Sequence, residues 1–516
     1  MIFNRCFIRT NADRIAGPSF REHEHLMTRA QSLAMEDARL PPLALLTVLA
    51  VLAFSVLFRR VDHDESQYVA AVALMRSGFP YRDFAYLQTP LLPLLLSPLS
   101  RLPAGWTFVG VRVASGLFGF ITMLLLWRSL EHHVSCRQRM IALAALMCTN
   151  PFLLASSLAR NDALAMALLA AALLPLLRAI ETNSRGYFAL AGLLMGLAIS
   201  AKISAALPTA AAAAFTLSRS RRAGLATFVG FAVGLVLGLT PTLVGAAIAP
   251  SAFRFDVFSY NLQAPFQWWS SIGEANELRP VVRIAKLIEM AALGSVLVAL
   301  AAAALDRRAD DKRRILDFMV IGGMVAAFLP VPALTQYLVP LLPPLFVRFA
   351  FALDDAGERR TRILVSLAGL SSIAGLTSSL LASSGEVAAF RNVQLGAEVA
   401  ALAKGGPVVT LSPEYVAGDG INLDPRFAAG PFLYRTRAKL ALTAETFGRA
   451  VSIETLDQSL TRRPPALILV GGERESFPRT YPDGLDQSLV DWSERNDYRP
   501  EPMAGGFTAF VAPTGK

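Results

Sequence analysis

The chain has 516 residues, 54% hydrophobic and only 17% charged, with a mean hydropathy of +0.46. Soluble globular domains run at roughly 45–50% apolar and about 25% charged residues, so the composition argues against a soluble enzyme, and equally against a disordered chain, which needs low hydrophobicity. Five His and three Cys without a CxxC or HExxH pattern argue against a dedicated zinc or iron–sulfur site. The net charge of +10 does not indicate nucleic acid either, because the arginines collect in short gaps between apolar runs.

A membrane span needs about 20 mostly apolar residues. Candidate runs lie at 40–58, 108–130, 140–158, 163–177, 187–200, 203–217, 225–248, 281–305, 315–329, 333–353 and 363–381. They predict an α-helical polytopic membrane protein with about eleven transmembrane helices. Residues 1–39 are Arg-rich and lack a long apolar core, so they read as a cytoplasmic segment without a cleavable signal peptide, with Met27 and Met35 as alternative starts. Breaks around Asp162, Lys202 and Pro330 to Pro332 predict tilted or interrupted spans. Five short gaps, "HHVSCRQR", "RAIETNSRG", "SRSRRAG", "DRRADDKRR" and "DDAGERRTR", are basic and fall on one side, which the positive-inside rule assigns to the cytoplasm. Arg59 and Arg60 are an exception to that pattern.

The transmembrane module is then expected at 40–384, with an outer loop at 61–106, and 385–516 as an extracytoplasmic domain on the outer face. Short apolar stretches at 407–411, 466–470 and 507–512 read as buried strands, and 441–460 as helix-like, which predicts a small mixed α/β fold.

Within the outer loop, Asp62, Asp64 and Glu65 arrive directly after a span ends. The following "SQYVAAVALMRSG" sets Tyr68, Val72 and Met75 on one face, the pattern of a helix lying along the membrane surface. Gly78 and Pro80 end it, "YRDFAY" follows, and 89–98 is apolar but short for a span. Acids at the lipid boundary suit a reaction between a lipid-borne group and an outside acceptor. The plainer alternative is that they are solvated flanking residues.

This stretch resembles the first external loop of the GT-C superfamily of integral-membrane glycosyltransferases, in the branch of protein O-mannosyltransferases, aminoarabinose transferases and rhizobial galacturonosyltransferases. Their acidic pair, Tyr, G-x-P-Y-x-D and P-L pattern is met by Asp64 and Glu65, Tyr68, Gly78 through Asp83, and Pro90 and Leu91. Three more matches follow in order: Arg160 and Asp162 in "LARNDALAMALL"; Gly192, Gly196 and Lys202 in "GLLMGLAISAKISAALP"; and Tyr337, Pro340 and Pro343 in "TQYLVPLLPPL". The resemblance covers residues 62–348 and departs at Gln336, where many relatives carry Arg. It implies a GT-C fold in a bacterial inner membrane. It also implies transfer of a sugar from a polyprenyl-phosphate-linked donor to an envelope lipid, glycan or protein acceptor on the periplasmic face.

In such a transfer the acceptor attacks the anomeric carbon as phosphate leaves. A general base is typically worth about 10²–10⁴ in rate. Asp64 is the expected base, with Asp62 and Glu65 beside it to bind the acceptor or tune its pKa. Lys202, Arg254 and Arg160 are the candidate donor-phosphate contacts. A lysine among apolar runs costs roughly 2.5–3.5 kcal/mol, and a phosphate about 4 Å away would return on the order of 4 kcal/mol. Alternatively Lys202 marks the outer end of a helical hairpin and snorkels into water, and Arg160 and Asp162 simply pair with each other.

Asp162, Tyr81, Arg82, Tyr86 and Tyr337 are expected in the substrate pocket, against the alternative that interfacial aromatics are membrane anchors. No obligatory metal is expected, a divalent cation being left open, and no P-loop or Rossmann glycine pattern is present. Two other classes compete: a transporter or lipid flippase, marked by inverted repeats and broken helices, and a non-catalytic membrane scaffold.

Overall fold

Each apolar run falls on a helix, or on two helices meeting at a bend, in the computed structural model, which describes residues 41–435, 449–473 and 484–513. The expected segment 1–39 lies outside the described residues. Among those described, four helices are long and apolar enough to cross a membrane alone: Trp106–Ser129, Asp162–Thr182, Thr335–Asp355 and Glu358–Leu381. Three bent pairs raise the number to seven: Cys136–Met147 with Asn150–Ser157 (67°), Leu225–Gly238 with Thr240–Ile248 (48°), and Pro280–Ala292 with Val296–Leu305 (96°).

That is fewer than the expected eleven, for a physical reason. Pro42–Phe58 and Arg185–Ala201 are apolar but 17 residues long. Ala206–Ala223 ends in Arg219, Arg221 and Arg222, and Asp311–Phe328 opens with Asp-Lys-Arg-Arg, which shortens their apolar parts. Prolines at the second helix of the first two bent pairs, and Gly294 in the third, mark the bends.

Helix Arg185–Ala201 packs against Leu225–Gly238 through glycines spaced by four. A Cβ at Gly192, Gly196, Gly234 or Gly238 would collide with backbone atoms of the facing helix. Small residues at such spacing let helix backbones meet where lipid gives no hydrophobic drive. The glycines of the "GLLMG" motif therefore fix the helix that ends at Lys202.

The five basic gaps gather at one end of the helix bundle. Arg219 binds Asp311 and Asn183, Lys312 binds Glu181, and Asp354 accepts from the Ser135 backbone. Arg313 and Arg308 both reach Asp355. Arg348 is buried between Asp306 (2.7 Å) and Asp317 (2.8 Å), a structural pairing. Asp162 opens the 21-residue helix whose other end carries Glu181, so at 1.5 Å per residue the outer-loop end lies about 30 Å from this basic end.

The C-terminal sheet has the order β2-β1-β3-β5-β4, formed by β1 (Pro407–Val409), β2 (Asn422–Leu423), β3 (Leu467–Val470), β4 (Arg499–Pro502) and β5 (Thr508–Val511). β1 pairs parallel with β2 and β3, while β5 runs antiparallel to β3 and β4. Three of these strands are the expected apolar stretches. β4 and β2 have no such signal: β4 reads Arg-Pro-Glu-Pro, tolerable only at the sheet edge it occupies. Of the helix-like 441–460, residues 441–448 lie outside the described residues, and the described part holds the start of helix Leu456–Arg462.

One expectation is overturned. The helix after the acids, Glu65–Leu74, does not rest an open face in lipid, since nine of its ten residues are buried inside the protein. The C-terminal domain covers it: Gly430 sits so close to Ser66 that a Cβ there would clash with its hydroxyl.

Candidate active site

Adjacent acids in the outer loop point to different partners. Glu65 is fully buried and meets Arg112 through two bonds, Nε–Oε1 at 2.8 Å and Nη2–Oε2 at 2.6 Å. Oε1 also accepts the Ala159 N–H (2.6 Å), Oε2 accepts the Asp62 N–H (2.9 Å), and Arg112 donates to the Arg59 and Arg60 carbonyls. A carboxylate so saturated holds the loop to the span rather than meeting a substrate. The exceptional Arg59 is itself buried, donating to Ser379.

Asp64 instead opens a charge network. Its Oδ2 lies 2.6 Å from Arg160 Nη1, and Arg160 Nε lies 3.2 Å from Asp162 Oδ2. Asp162 Oδ1 in turn lies 2.5 Å from Lys202 Nζ. The two expected key residues, Asp64 and Lys202, are thus joined through Arg160 and Asp162 across three separate segments. Asp162 is fully buried, whereas the Asp64 side chain keeps 20% of its surface exposed. His63 stands 3.3 Å from Asp64 and 3.7 Å from Asp62.

Burial pushes the Asp64 carboxyl up, but Arg160, His63, Arg435 and Lys202 outweigh it and hold it below its ordinary value. Burial and the neighbouring Asp64 push Asp62 the other way. Ligand atoms of Asp62, His63 and Asp64 lie within 4.8 Å of one another, near enough to share a cation, although Asp64 already serves Arg160.

The G-x-P-Y-x-D sequence is a self-contained turn. Asp83 accepts the Phe79 N–H (2.7 Å), and Gly78 leaves the space that Asp83 fills. Tyr81 adopts φ 70°, bonds the Phe84 carbonyl and donates its hydroxyl to Gln88 O (2.6 Å). Tyr81 and Tyr86 are completely buried, and Tyr86 stands edge-on to Tyr68. Arg82 departs from expectation: its side chain is 61% exposed and pairs with the adjacent Asp83 at 2.8 Å. Arg254 is exposed and makes no ion pair among the described residues, so it too stands apart from the network. Tyr337 is half-buried and lies near enough to Asp64, Arg160 and Asp162 to feel their charge.

Three comparisons bear on this arrangement. The family model described as dolichyl-phosphate-mannose-protein mannosyltransferase matches residues 87–244. Among solved structures, ArnT from Cupriavidus metallidurans in the apo state superposes with a TM-score of 0.59 at 14% identity, covering 92% of this chain and 98% of that one. The same protein bound to undecaprenyl phosphate gives 0.56 at 15% identity with the same coverage. The apo oligosaccharyltransferase of Archaeoglobus fulgidus gives 0.50 at 13% identity, covering 84% and 69%. No curated protein sequence matches the chain. This is the GT-C fold.

The site has members that the motifs did not single out. From the C-terminal domain come Phe432, whose ring stacks on His63 (centroids 5.6 Å apart), and Arg435, whose guanidinium lies over Trp268 (4.4 Å) and Phe432 (4.9 Å). Trp268 is therefore part of this cluster. Asp256, fully buried, accepts the Tyr86 N–H (3.2 Å) and an Arg449 Nη1 (3.3 Å). Two isolated arginines and an aspartate on the short helical segment Phe255–Ser259 match none of the motifs, so only the fold could reveal them.

Proposed function

We propose that this protein is a membrane glycosyltransferase that moves a sugar from a polyprenyl-phosphate carrier to an envelope acceptor on the periplasmic face of a bacterial inner membrane. The observation that carries this reading is the single network from Asp64 through Arg160 and Asp162 to Lys202. It places a partly exposed carboxylate and two buried cations together, in a fold shared with a protein solved with undecaprenyl phosphate bound. The basic gaps lie at the far end of the helices, which supports an outward-facing site under the positive-inside rule.

The chemistry follows from the geometry. An acceptor oxygen or nitrogen attacks the anomeric carbon while the bond from that carbon to the phosphate oxygen breaks, the electron pair leaving with the phosphate. Asp64, held ionised, takes the acceptor proton. Lys202 and Arg160 steady the departing phosphate, and Tyr337, Tyr81 and Tyr86 shape the pocket. Glu65 positions the loop through Arg112. Arg82 and Arg254 have no role in this reading.

A transporter would also contain broken helices, and three bent pairs are present. Two of the bends meet where Thr149 packs on Gly294 and Asn150 N–H donates to Leu293 O, contacts between uncharged residues. The charges lie with the outer loop instead, which favours chemistry. Transfer of a radiolabelled sugar from its decaprenyl-phosphate carrier to envelope extract, by protein reconstituted in proteoliposomes, tests the reading. Labelled product that vanishes with Asp64→Asn is expected. Full transfer by that variant, or movement of the lipid without a new glycosidic bond, would sink it.

A further inference from the structure

Asn161 stands between Arg160 and Asp162, at the position that starts the helix Asp162–Thr182. Asparagine is favoured there because its oxygen caps the first helical turn, yet this side chain makes no capping bond. Instead its Nδ2 donates to the Ala201 carbonyl (2.8 Å), next to Lys202, and to Gln88 Oε1 (3.4 Å). A carbonyl can only accept, so the bond to Ala201 fixes which end of the amide is nitrogen. Asn161 Oδ1 is thereby left buried with no hydrogen-bond partner among the described residues. Gln88 gives its oxygen to Asn161, and its own NH2 has no partner among the described residues. The backbone around Gln88 is held from two sides, by the Tyr81 hydroxyl on Gln88 O (2.6 Å) and by Asn261 Nδ2 on Leu87 O (3.0 Å).

We propose that Gln88 and Asn161 form a subsite that recognises a hydroxyl of the sugar carried on the lipid phosphate. A buried acceptor without a partner is rare, because it forfeits its hydration for nothing in return. A hydroxyl answers both amides, since it donates to Asn161 Oδ1 and accepts from the Gln88 NH2. The place fits as well. Asn161 adjoins Arg160 and Asp162 in the chain, and its bond to Ala201 sets it beside Lys202, so the pair borders the cations that would hold the phosphate. The sugar is joined directly to that phosphate, which brings its ring alongside. Two neutral amides suit a neutral hydroxyl, and a site built to bond one discriminates against a sugar that lacks it. The inference rests on the glycosyltransferase reading and deepens it from the phosphate to the sugar.

The test compares a carrier with and without its sugar. Full-length native protein, Gln88→Met and Asn161→Ala are titrated in detergent with decaprenyl phosphate and with decaprenyl phosphate linked to arabinose, glucose or mannose. The quantity read is the ratio of the Kd for the sugar-bearing lipid that the native protein binds best to the Kd for the bare carrier. Gln88→Met is expected to raise this ratio by about fivefold, the loss of one neutral hydrogen bond, and to leave the Kd of decaprenyl phosphate within twofold. Asn161→Ala also removes the tie to Ala201 and should weaken both lipids, yet its ratio should rise as well. Gln88→Met carries the test alone should Asn161→Ala fail to fold, because the backbone bonds around Gln88 do not involve its side chain. An unchanged ratio in Gln88→Met overturns the proposal and leaves the glycosyltransferase reading intact, as the amides would then serve only an internal water or the loop. Native protein that binds the bare carrier as tightly as every sugar-bearing lipid overturns it too. Native protein that binds none of these lipids removes the underlying reading, and the proposal with it.

Discussion

Lys202 Nζ lies 2.5 Å from Asp162 Oδ1, so the lysine at the end of one glycine-packed helix is neutralised by the first residue of another. Two roles for Lys202 follow, structural partner or phosphate contact, and a double replacement separates them. Breaking a buried ion pair from one side costs on the order of 3–5 kcal/mol, because the remaining charge is left uncompensated. Asp162→Asn and Lys202→Met should each lower the melting temperature in detergent, and the pair combined should recover much of the loss. Transfer should not recover with it. A stable double variant with near-native transfer would make Lys202 a structural partner alone.

The neighbouring acids of the outer loop should separate cleanly by experiment. Asp64→Asn is expected to cut transfer by about 10²–10⁴ with the melting curve little changed. Glu65→Gln should do the reverse. It leaves Arg112 short of its bidentate partner, with a loss of about 3–5 kcal/mol and transfer per folded molecule held within a few-fold. Comparing specific activity with the melting temperature for both variants checks the division.

Much of this fold was legible because lipid imposes simple rules. Apolar runs marked the helices, arginine-rich gaps marked one end, and the order of motifs brought Asp64, Arg160, Asp162 and Lys202 forward before any contact was seen. What escaped has physical causes. Sequence could rank Glu65 beside Asp64 but could not tell which faced Arg112. Arg82 looked like Arg160 in type and lay closer to the acids in sequence, yet its nearest carboxylate is its own neighbour, Asp83. The burial of Glu65–Leu74 depends on a domain hundreds of residues away, which helical periodicity does not report.

The glycine seam makes a third expectation. A Cβ at Gly234 would collide with the Ala189 carbonyl, a backbone atom that cannot swing aside. Gly234→Val should force the Arg185–Ala201 and Leu225–Gly238 helices apart and carry Lys202 away from Asp162. Transfer should fall by at least about tenfold, since misplacing a catalytic group by about 1 Å can cost 10²-fold. Gly224→Ala is the control, because no atom lies within 4 Å of its Cβ position and only its φ of 93° adds local strain. Equal transfer by the Gly234→Val and native proteins would show that the seam does not set the site.

Asp256 supplies a dependence on pH whose sign can be worked out. Its carboxyl is fully buried, holds the Tyr86 N–H and Arg449 through Oδ2, and has no hydrogen-bond partner at Oδ1. Burial raises its pKa to about 7, against the pull of Arg449 and the Tyr86 N–H. In the unfolded chain an Asp titrates near 3.9. Between about pH 4 and 7 the native protein therefore keeps a proton that the unfolded chain has lost, so stability falls as pH rises through that window and levels off above it. Asp256→Asn removes this part of the slope while keeping an acceptor for Tyr86. The difference in melting temperature, native minus Asp256→Asn, should decline from pH 4.5 to about 7 and then stay flat to pH 8.5. A difference that is constant, or that grows with pH, would mean that the carboxylate is charged throughout and that its pairing with Arg449 outweighs its burial.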